Sequence, residues 1–272
     1  MFGRSDDKEM SFLEHLEALR WHIVRSVIAI VVLAIVAFCN KDILFDKIIL
    51  APKNSDFLSY RVLCYLSVKY HVDLCFNKID FNIINIDLSG QFMTHMWIAF
   101  VAGFIVAFPY FIWELWRFIK PALRDKEKKY SRGIVFFISL LFVIGLLFGY
   151  YVIAPLSINF LGNYQVSSEV RNTISLDSYI STVTILSLSS GLVFELPMIV
   201  YFLSKIGFIT PQFMRKYRKH AMVVNLIIAA VITPSPDVTS QMLVAIPLFL
   251  LYEISIYVSK AVTGNKLKTE IE

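Results

Sequence analysis

Long runs of apolar residues alternate along this chain with short polar segments. Six runs stand out: Trp21–Cys39, Phe92–Ile112, Gly133–Ala154, Ser178–Ser204, His220–Ile232 and Thr239–Val258. A helix needs about 20 residues to cross a ~30 Å hydrocarbon core. The first three runs and the sixth match that length, and the fourth has residues to spare for tilt. The 13 residues of the fifth fall short. They suit a re-entrant segment or a locally thinned bilayer, and the distribution of charge favours a crossing. Ser11-Phe-Leu-Glu14 reads as a capping box that starts a short helix before the first run. Thr210-Pro211 and Ser235-Pro236 read as N-caps followed by a first-turn proline, opening the fifth and sixth runs. No internal repeat and no linker is visible. The pattern predicts one helical membrane domain, residues 1–272, with a sizeable external loop over 40–91.

Composition narrows the class. Apolar residues make up 57% of the 272 and charged residues 17%, against about 25% charged in an average soluble protein. A globule of this size must present a charged exterior, so a soluble enzyme is excluded, as are a disordered chain and a collagen-like fibre. The net charge of +5 would point to nucleic acid in a soluble protein. Here its distribution points to membrane sidedness instead, with no nucleic-acid partner. Four Lys/Arg lie at the N-terminus, seven in Arg117–Arg132, five in Lys205–Lys219 and three from Lys260 onward. The opposite side carries six in Asn40–Gln91, balanced by six Asp, and one more at Arg171. By the positive-inside rule both termini are cytoplasmic, which requires an even number of crossings and makes the fifth run one of them. The start MFGRSDDKEM leads into a polar helix without a cleavable signal sequence. Five scattered His and three Cys show no metal-ligand spacing, so neither a metal nor another cofactor is expected.

Polar and helix-breaking residues inside the runs are the candidates for function. Pro109, Pro197 and Pro247 lie within runs and Pro155 closes one. Interior prolines kink helices, and three kinked helices of six suggest a curved bundle with a concave face. Glu195, in GLVFELPM, sits mid-run, where a carboxylate costs at least about 2.5 kcal/mol; it should face a polar cavity or a partner, or be protonated. Glu253 resembles it, nearer the cytoplasmic end. Glu114, between Trp113 and Trp116, is expected at the interface with water around it. Gly145 and Gly149 allow close helix approach, within the chain or between copies.

The cytoplasmic side carries a second group. Phe12, Leu16 and Leu19 form one stripe of the N-terminal helix, with Glu14 and Glu17 opposite. The loop RFIKPALRDKEKK places Asp125 and Glu127 among cations. Together these residues resemble one family, the twin-arginine protein translocase subunit TatC. The resemblance runs through Phe12–Arg20 (FLEHLEALR, where the family has HLxELR), Ala51-Pro52 and Trp116–Leu123 with Glu127. It continues through Phe194-Glu195-Leu-Pro197, Thr233–Asp237 with Gln241, and Ala245-Ile-Pro247 with Glu253. The motif's Glu before Leu-Arg is Ala18 here, with Glu17 one position earlier, about 100° around a helix. The external loop is longer than the family's and holds Cys64 and Cys75, which are expected to pair in an oxidising compartment.

The resemblance implies an all-α fold of six kinked transmembrane helices in the cytoplasmic (inner) membrane. It implies a non-enzymatic receptor and core of a protein-export machine driven by the proton-motive force. The expected partners are single-span subunits of the TatA and TatB type, signal peptides with two consecutive arginines, the lipid bilayer, and further copies of the chain. The expected signal-peptide-binding residues are Glu127, Phe118, Glu14, Glu17 and Arg20. Glu195, Glu253 and Gln241 are the expected intramembrane polar site for partners. Two guanidiniums need fixed carboxylates, each able to pair bidentately. A secondary transporter using Glu195 as its coupling carboxylate is the alternative, but it predicts an internal repeat. An intramembrane protease lacks paired aspartates or a mid-span base.

Overall fold

The first apolar run and the polar residues before it form one unbroken helix, α1 (Phe12–Cys39). Among the described residues no separate short helix precedes the span: the sequence from Phe12 to Cys39 contains neither proline nor glycine to interrupt it, and Ser11, the expected cap, lies outside them. The structure, a computed structural model, describes residues 12–54, 56–70, 81–120, 133–165, 167, 172–233 and 238–271. Five stretches within it are long and apolar enough to cross a membrane: Leu16–Cys39, Gly90–Ile119, Ile134–Asn163, Leu176–Ile206 and Gln241–Thr263. The fifth run is a 15-residue helix, Arg218–Ile232, shorter than that requirement.

The chain divides into two compact units. The smaller comprises Met1–Cys39 and Ala99–Ser139, and so holds α1 and most of α3 (Gly90–Ile119). The packed stripe of α1 is mostly small: Ala18, His22, Ser26, Ala29, Leu33, Ala34 and Ala37 recur at helical spacing, while Trp21, Val24, Ile28, Val31 and Ile35 are exposed. Only 6% of its apolar window is buried, which leaves nearly all of it to lipid or partners. Gly103 of α3 lies directly against α1. A Cβ there would sit 2.5 Å from the Ala34 backbone nitrogen, so only glycine permits this approach.

The larger unit, Asn40–Ile98 and Leu140–Glu272, is built around two interrupted spans, the third and the fourth. The third span runs as α4 (Ile134–Phe148), a π turn (Gly149–Ile153) and α5 (Ala154–Asn163). Pro155 therefore does not close this span. It occupies the first turn of α5, directly after the π turn, and the helix continues to Asn163. Its ring does exclude the carbonyl four residues back, that of Tyr151. The Ser59 hydroxyl donates to that oxygen. Ser59 lies on α2 (Leu58–Tyr70), a helix inside the segment 40–91 for which the apolar pattern gave no expectation. Next to it, the Tyr60 hydroxyl is within 3.1 Å of both the Pro52 and the Pro155 carbonyl oxygens. Burial pushes the Tyr60 phenol pKa up, so it remains a donor.

The fourth span is α6 (Leu176–Val193) followed by α7 (Leu196–Ile206). After it come α8 (Pro211–Lys216), α9 (Arg218–Ile232) and α10 (Val238–Ile271). Thr210 caps α8, its side chain accepting from the Phe213 N–H at 3.3 Å; Ser235 and Pro236 lie outside the described residues. Pro247 stays inside a continuous α10 and Pro109 inside a continuous α3. Gly145 and Gly149 pack within the chain. Added Cβ atoms would lie 2.6 Å from the Phe194 Cβ and 2.8 Å from the Leu186 carbonyl oxygen, respectively. The hydrophobic core gathers Ile153, Ala154, Leu186, Ala229, Val244, Ala245 and Leu248, drawn from the π turn, α5, α6, α9 and α10. The fold is not wholly helical: β1 (Asn82–Ile84) pairs in parallel with β2 (Thr173–Ser175), Asn82 facing Thr173. Two three-residue strands so far apart in sequence carry no periodic signal. Cys64 is disulfide-bonded and Cys39 is free and exposed; Cys75 lies outside the described residues.

Replacing Ser59 by alanine strands the Tyr151 carbonyl oxygen. An unsatisfied buried acceptor costs about 1–3 kcal/mol, so Ser59→Ala should lower the unfolding midpoint in detergent. The exposed neighbour Leu58 substituted by alanine should change it little. Equal midpoints for Ser59→Ala and the parent chain would contradict this role.

Candidate functional site

The Arg20 end of α1 and the Ile119 end of α3 carry the first group of candidates. Glu17 and Arg20 are exposed on α1, while Ala18 is half-buried on the packed stripe. The carboxylate of Glu17 thus lies off that stripe, as the 100° displacement requires. Glu14 lies within α1, though its side chain, like the whole of Glu127, is outside the described residues. Phe118 is half-buried and stands edge-on to His22, ring centroids 6.2 Å apart.

Glu114 corrects the expectation of a water-solvated interfacial carboxylate. It is 1% exposed. His22 Nδ1 donates to its Oε2, and the Tyr110 hydroxyl donates to Oε1 at 3.0 Å. A buried carboxylate needs such partners, because desolvation otherwise costs several kcal/mol. Tyr110 sits one turn before Glu114 on α3, and Arg117 lies over the Trp113 ring at 5.6 Å.

Glu195 lies where the fourth span breaks. Pro197 excludes the carbonyl of Val193, four residues earlier, and α6 ends at that residue. Residues 194 and 195 form a turn, with the Glu195 N–H donating to the Leu192 carbonyl at 3.1 Å. Glu195 then precedes α7 as its N-cap residue without capping it through its side chain. The residue is 8% exposed, and its Oε1 has no hydrogen-bond partner among the described residues. The Gly145 and Gly149 seam presses α4 and the π turn against Ser187, Ser190 and Phe194, which fixes the backbone on which this carboxylate stands. The α6 face that packs inward carries Thr182, Thr184, Ser187 and Ser190, all buried.

Gln241 and Glu253 occupy other settings. Gln241 Nε2 donates to the Leu226 carbonyl at 3.0 Å, tying α10 to α9. Glu253 is partly exposed and paired with Arg218 at the start of α9, so it is not a second unpaired intramembrane carboxylate like Glu195. Twelve residues of helix separate it from Gln241, about 18 Å. The structure does not gather these two into one cluster. Among the described residues no group of three or more His, Cys, Asp or Glu is placed to hold a metal ion.

A family model described as Sec-independent protein translocase protein (TatC) matches residues 14–247, the stretch that carries all of these features except Glu253. The chain belongs to the TatC family. The Sec-independent protein translocase protein TatC of Blattabacterium sp. subsp. Periplaneta americana is 42% identical over 97% of this chain and 100% of its own. Its counterpart in Carboxydothermus hydrogenoformans is 35% identical over 97% and 99%. The crystal structure of the twin arginine translocase receptor TatC superimposes with a TM-score of 0.69, at 32% identity, over 92% of this chain and 100% of that one. A second crystal structure of that receptor, in DDM, gives 0.73 at 33% identity over 90% and 99%. The chain is therefore a multi-pass inner-membrane component of a protein translocase.

Sequence reasoning passed over His22 and Tyr110. The available signal was local: Tyr110 and Glu114 are four apart on one helix, and His22 is a polar residue on the small-residue stripe of α1.

The pairing of Glu253 with Arg218 is half-exposed, with side chains 36% and 45% accessible, and exposed pairs are worth about 0–1 kcal/mol. Arg218→Ala and Glu253→Ala should each shift thermal stability by no more than that amount. A loss of several kcal/mol in either would show that the pair is desolvated in the bilayer.

Proposed function

We propose that this chain is the signal-peptide receptor and core subunit of a twin-arginine translocase. In this reading it crosses the cytoplasmic membrane six times with both termini inside and works as one membrane body. It passes folded proteins across at the expense of the proton-motive force. Membership of the family and the receptor named in the crystal structures of the similar proteins support it. The distribution of Lys/Arg supports the orientation. The short α9, together with α8 before it, would supply the fifth crossing through a locally thinned bilayer.

The mechanism rests on where carboxylates stand. On the cytoplasmic side Glu127, with Glu14 and Glu17, would hold the paired arginines of the signal peptide through charge-assisted, bidentate hydrogen bonds. Phe118 would pack on the peptide's apolar part and Arg20 would orient the acidic face. In the membrane, Glu195 offers a buried oxygen without a partner among the described residues. It would receive a polar group of a TatA- or TatB-type helix or of the inserted peptide, and Gln241 and Glu253 would steady the neighbouring helices. The observation that carries the partner role is that unfilled acceptor at the break of the fourth span. Several copies of the chain would assemble with the single-span partners.

Losing one charge-assisted hydrogen bond, about 1.5–3 kcal/mol, should weaken peptide binding roughly 10- to 100-fold. Photo-crosslinking of an RR signal peptide and its KK variant to membranes is the assay. Glu127→Ala should lose RR crosslinking, Glu127→Gln most of it, and Glu17→Ala less. Glu195→Ala should lose crosslinking to the TatB-type helix while the protein still accumulates. Undiminished RR crosslinking in Glu127→Ala, at equal expression, would show a solvated loop charge and end this assignment.

A further inference from the structure

The smaller unit contains a buried ionisable network that the proposed mechanism does not use. Glu114 is fully enclosed and takes hydrogen bonds from His22 on α1 and Tyr110 on its own helix. The His22 side chain is itself only 16% exposed, and its ring meets the edge of Phe118. One imidazole therefore touches both the buried carboxylate and an expected peptide-contact residue.

The placement matters because α1 is otherwise loosely held. Little of its apolar window is fully buried, and its half-buried stripe is mostly small, with Leu19, Ile30 and Leu33 as the larger members, so packing alone grips it weakly against rotation. Two of its contacts with α3 differ in kind. The contact of Gly103 with Ala34 is a steric approach of backbones, which sets distance without fixing rotation. The bond from His22 to Glu114 is directional, and lies 12 residues away along α1, about 18 Å. Rotating α1 by one residue's angle would break that bond and leave a carboxylate buried without a partner. Polar groups buried in this way are best attested as devices that fix register. Because α1 is unbroken from Phe12, its rotation at His22 also sets where Glu17 and Arg20 point, within about a turn and a half.

We infer that His22, held by Glu114, is the positioning residue that fixes the rotation of α1 and so aligns Glu17 and Arg20 with Phe118 for signal-peptide binding. The inference rests on the receptor reading proposed for this chain. It assigns His22 no contact with the peptide's arginines: the imidazole acts through the helix that carries the reading side chains.

The test uses the full chain in membranes, with the RR signal peptide carrying a photo-crosslinker. His22→Ala and Glu114→Ala should each reduce crosslinking by about tenfold or more at equal accumulation. The exchanged pair, His22→Glu with Glu114→His, should return it to within about threefold of the parent chain, which general loss of packing would not allow. His22→Asn, whose amide can donate from nearly the position of Nδ1, should also retain binding. Crosslinking to a TatB-type helix at Glu195, in the other unit, should not change in any of them. RR crosslinking by His22→Ala within threefold of the parent would overturn the inference. So would an exchanged pair, or a His22→Asn variant, that accumulates and binds no better than His22→Ala; if the exchanged pair does not accumulate, His22→Asn alone decides. Failure of the receptor reading itself is seen separately, as Glu127→Ala crosslinking the peptide undiminished.

Discussion

In hydrocarbon every backbone carbonyl and every charge has to find its partner inside the protein. The interrupted helices of the larger unit are shaped by that constraint. Pro155 frees the Tyr151 carbonyl, and Ser59 of α2 reaches it. Pro197 ends α6 at Val193, and the turn through residues 194 and 195 recovers backbone bonds to Ser190 and Leu192. What the turn does not supply is a partner for the Glu195 Oε1. The break is thus satisfied in its backbone and open in its side chain. That combination is what a docking point for a polar group in a membrane requires.

Two buried carboxylates in apolar spans show how environment separates structural from available groups. Glu114 has a donor at each oxygen and is closed to other partners unless His22 moves. Glu195 is nearly as buried, yet one oxygen is unfilled. Glu253, in the last span, is at its edge and already paired with a surface arginine. Residue type and depth alone would rank the three together. Their hydrogen-bond partners separate them: one is bonded at both oxygens, one has an oxygen without a partner among the described residues, and one is a surface pair.

Much of the larger plan was legible in the amino-acid sequence, because membrane spans are read from apolar length and that signal is strong. The break at Pro197 and the presence of a carboxylate deep in the span at Glu195 were legible for the same reason: both violate the local pattern. The Gly145 and Gly149 spacing announced a close approach, but not its partner, since Ser187, Ser190 and Phe194 lie some forty residues away and no period links them. The bond between His22 and Glu114 spans 92 positions, and so Glu114 was expected to be solvated by water when it is enclosed by the protein. The strand pair and the helix α2 were likewise invisible, as short elements defined by contacts distant in sequence. The fifth run stayed ambiguous on both levels: its helix is 15 residues, and length alone does not make it a crossing.

These features matter for function only if the chain moves folded cargo. The most direct measurement places it in a membrane strain deleted for its own TatC and tracks a folded reporter behind an RR signal, alongside a Sec-dependent reporter. With its cognate single-span partners present, the chain should restore export of the RR reporter, not of its KK variant, and collapse of the proton-motive force should stop it while the deletion alone leaves Sec export intact. Export of the RR reporter that is equal with and without the chain, or equal for RR and KK signals, would contradict the account.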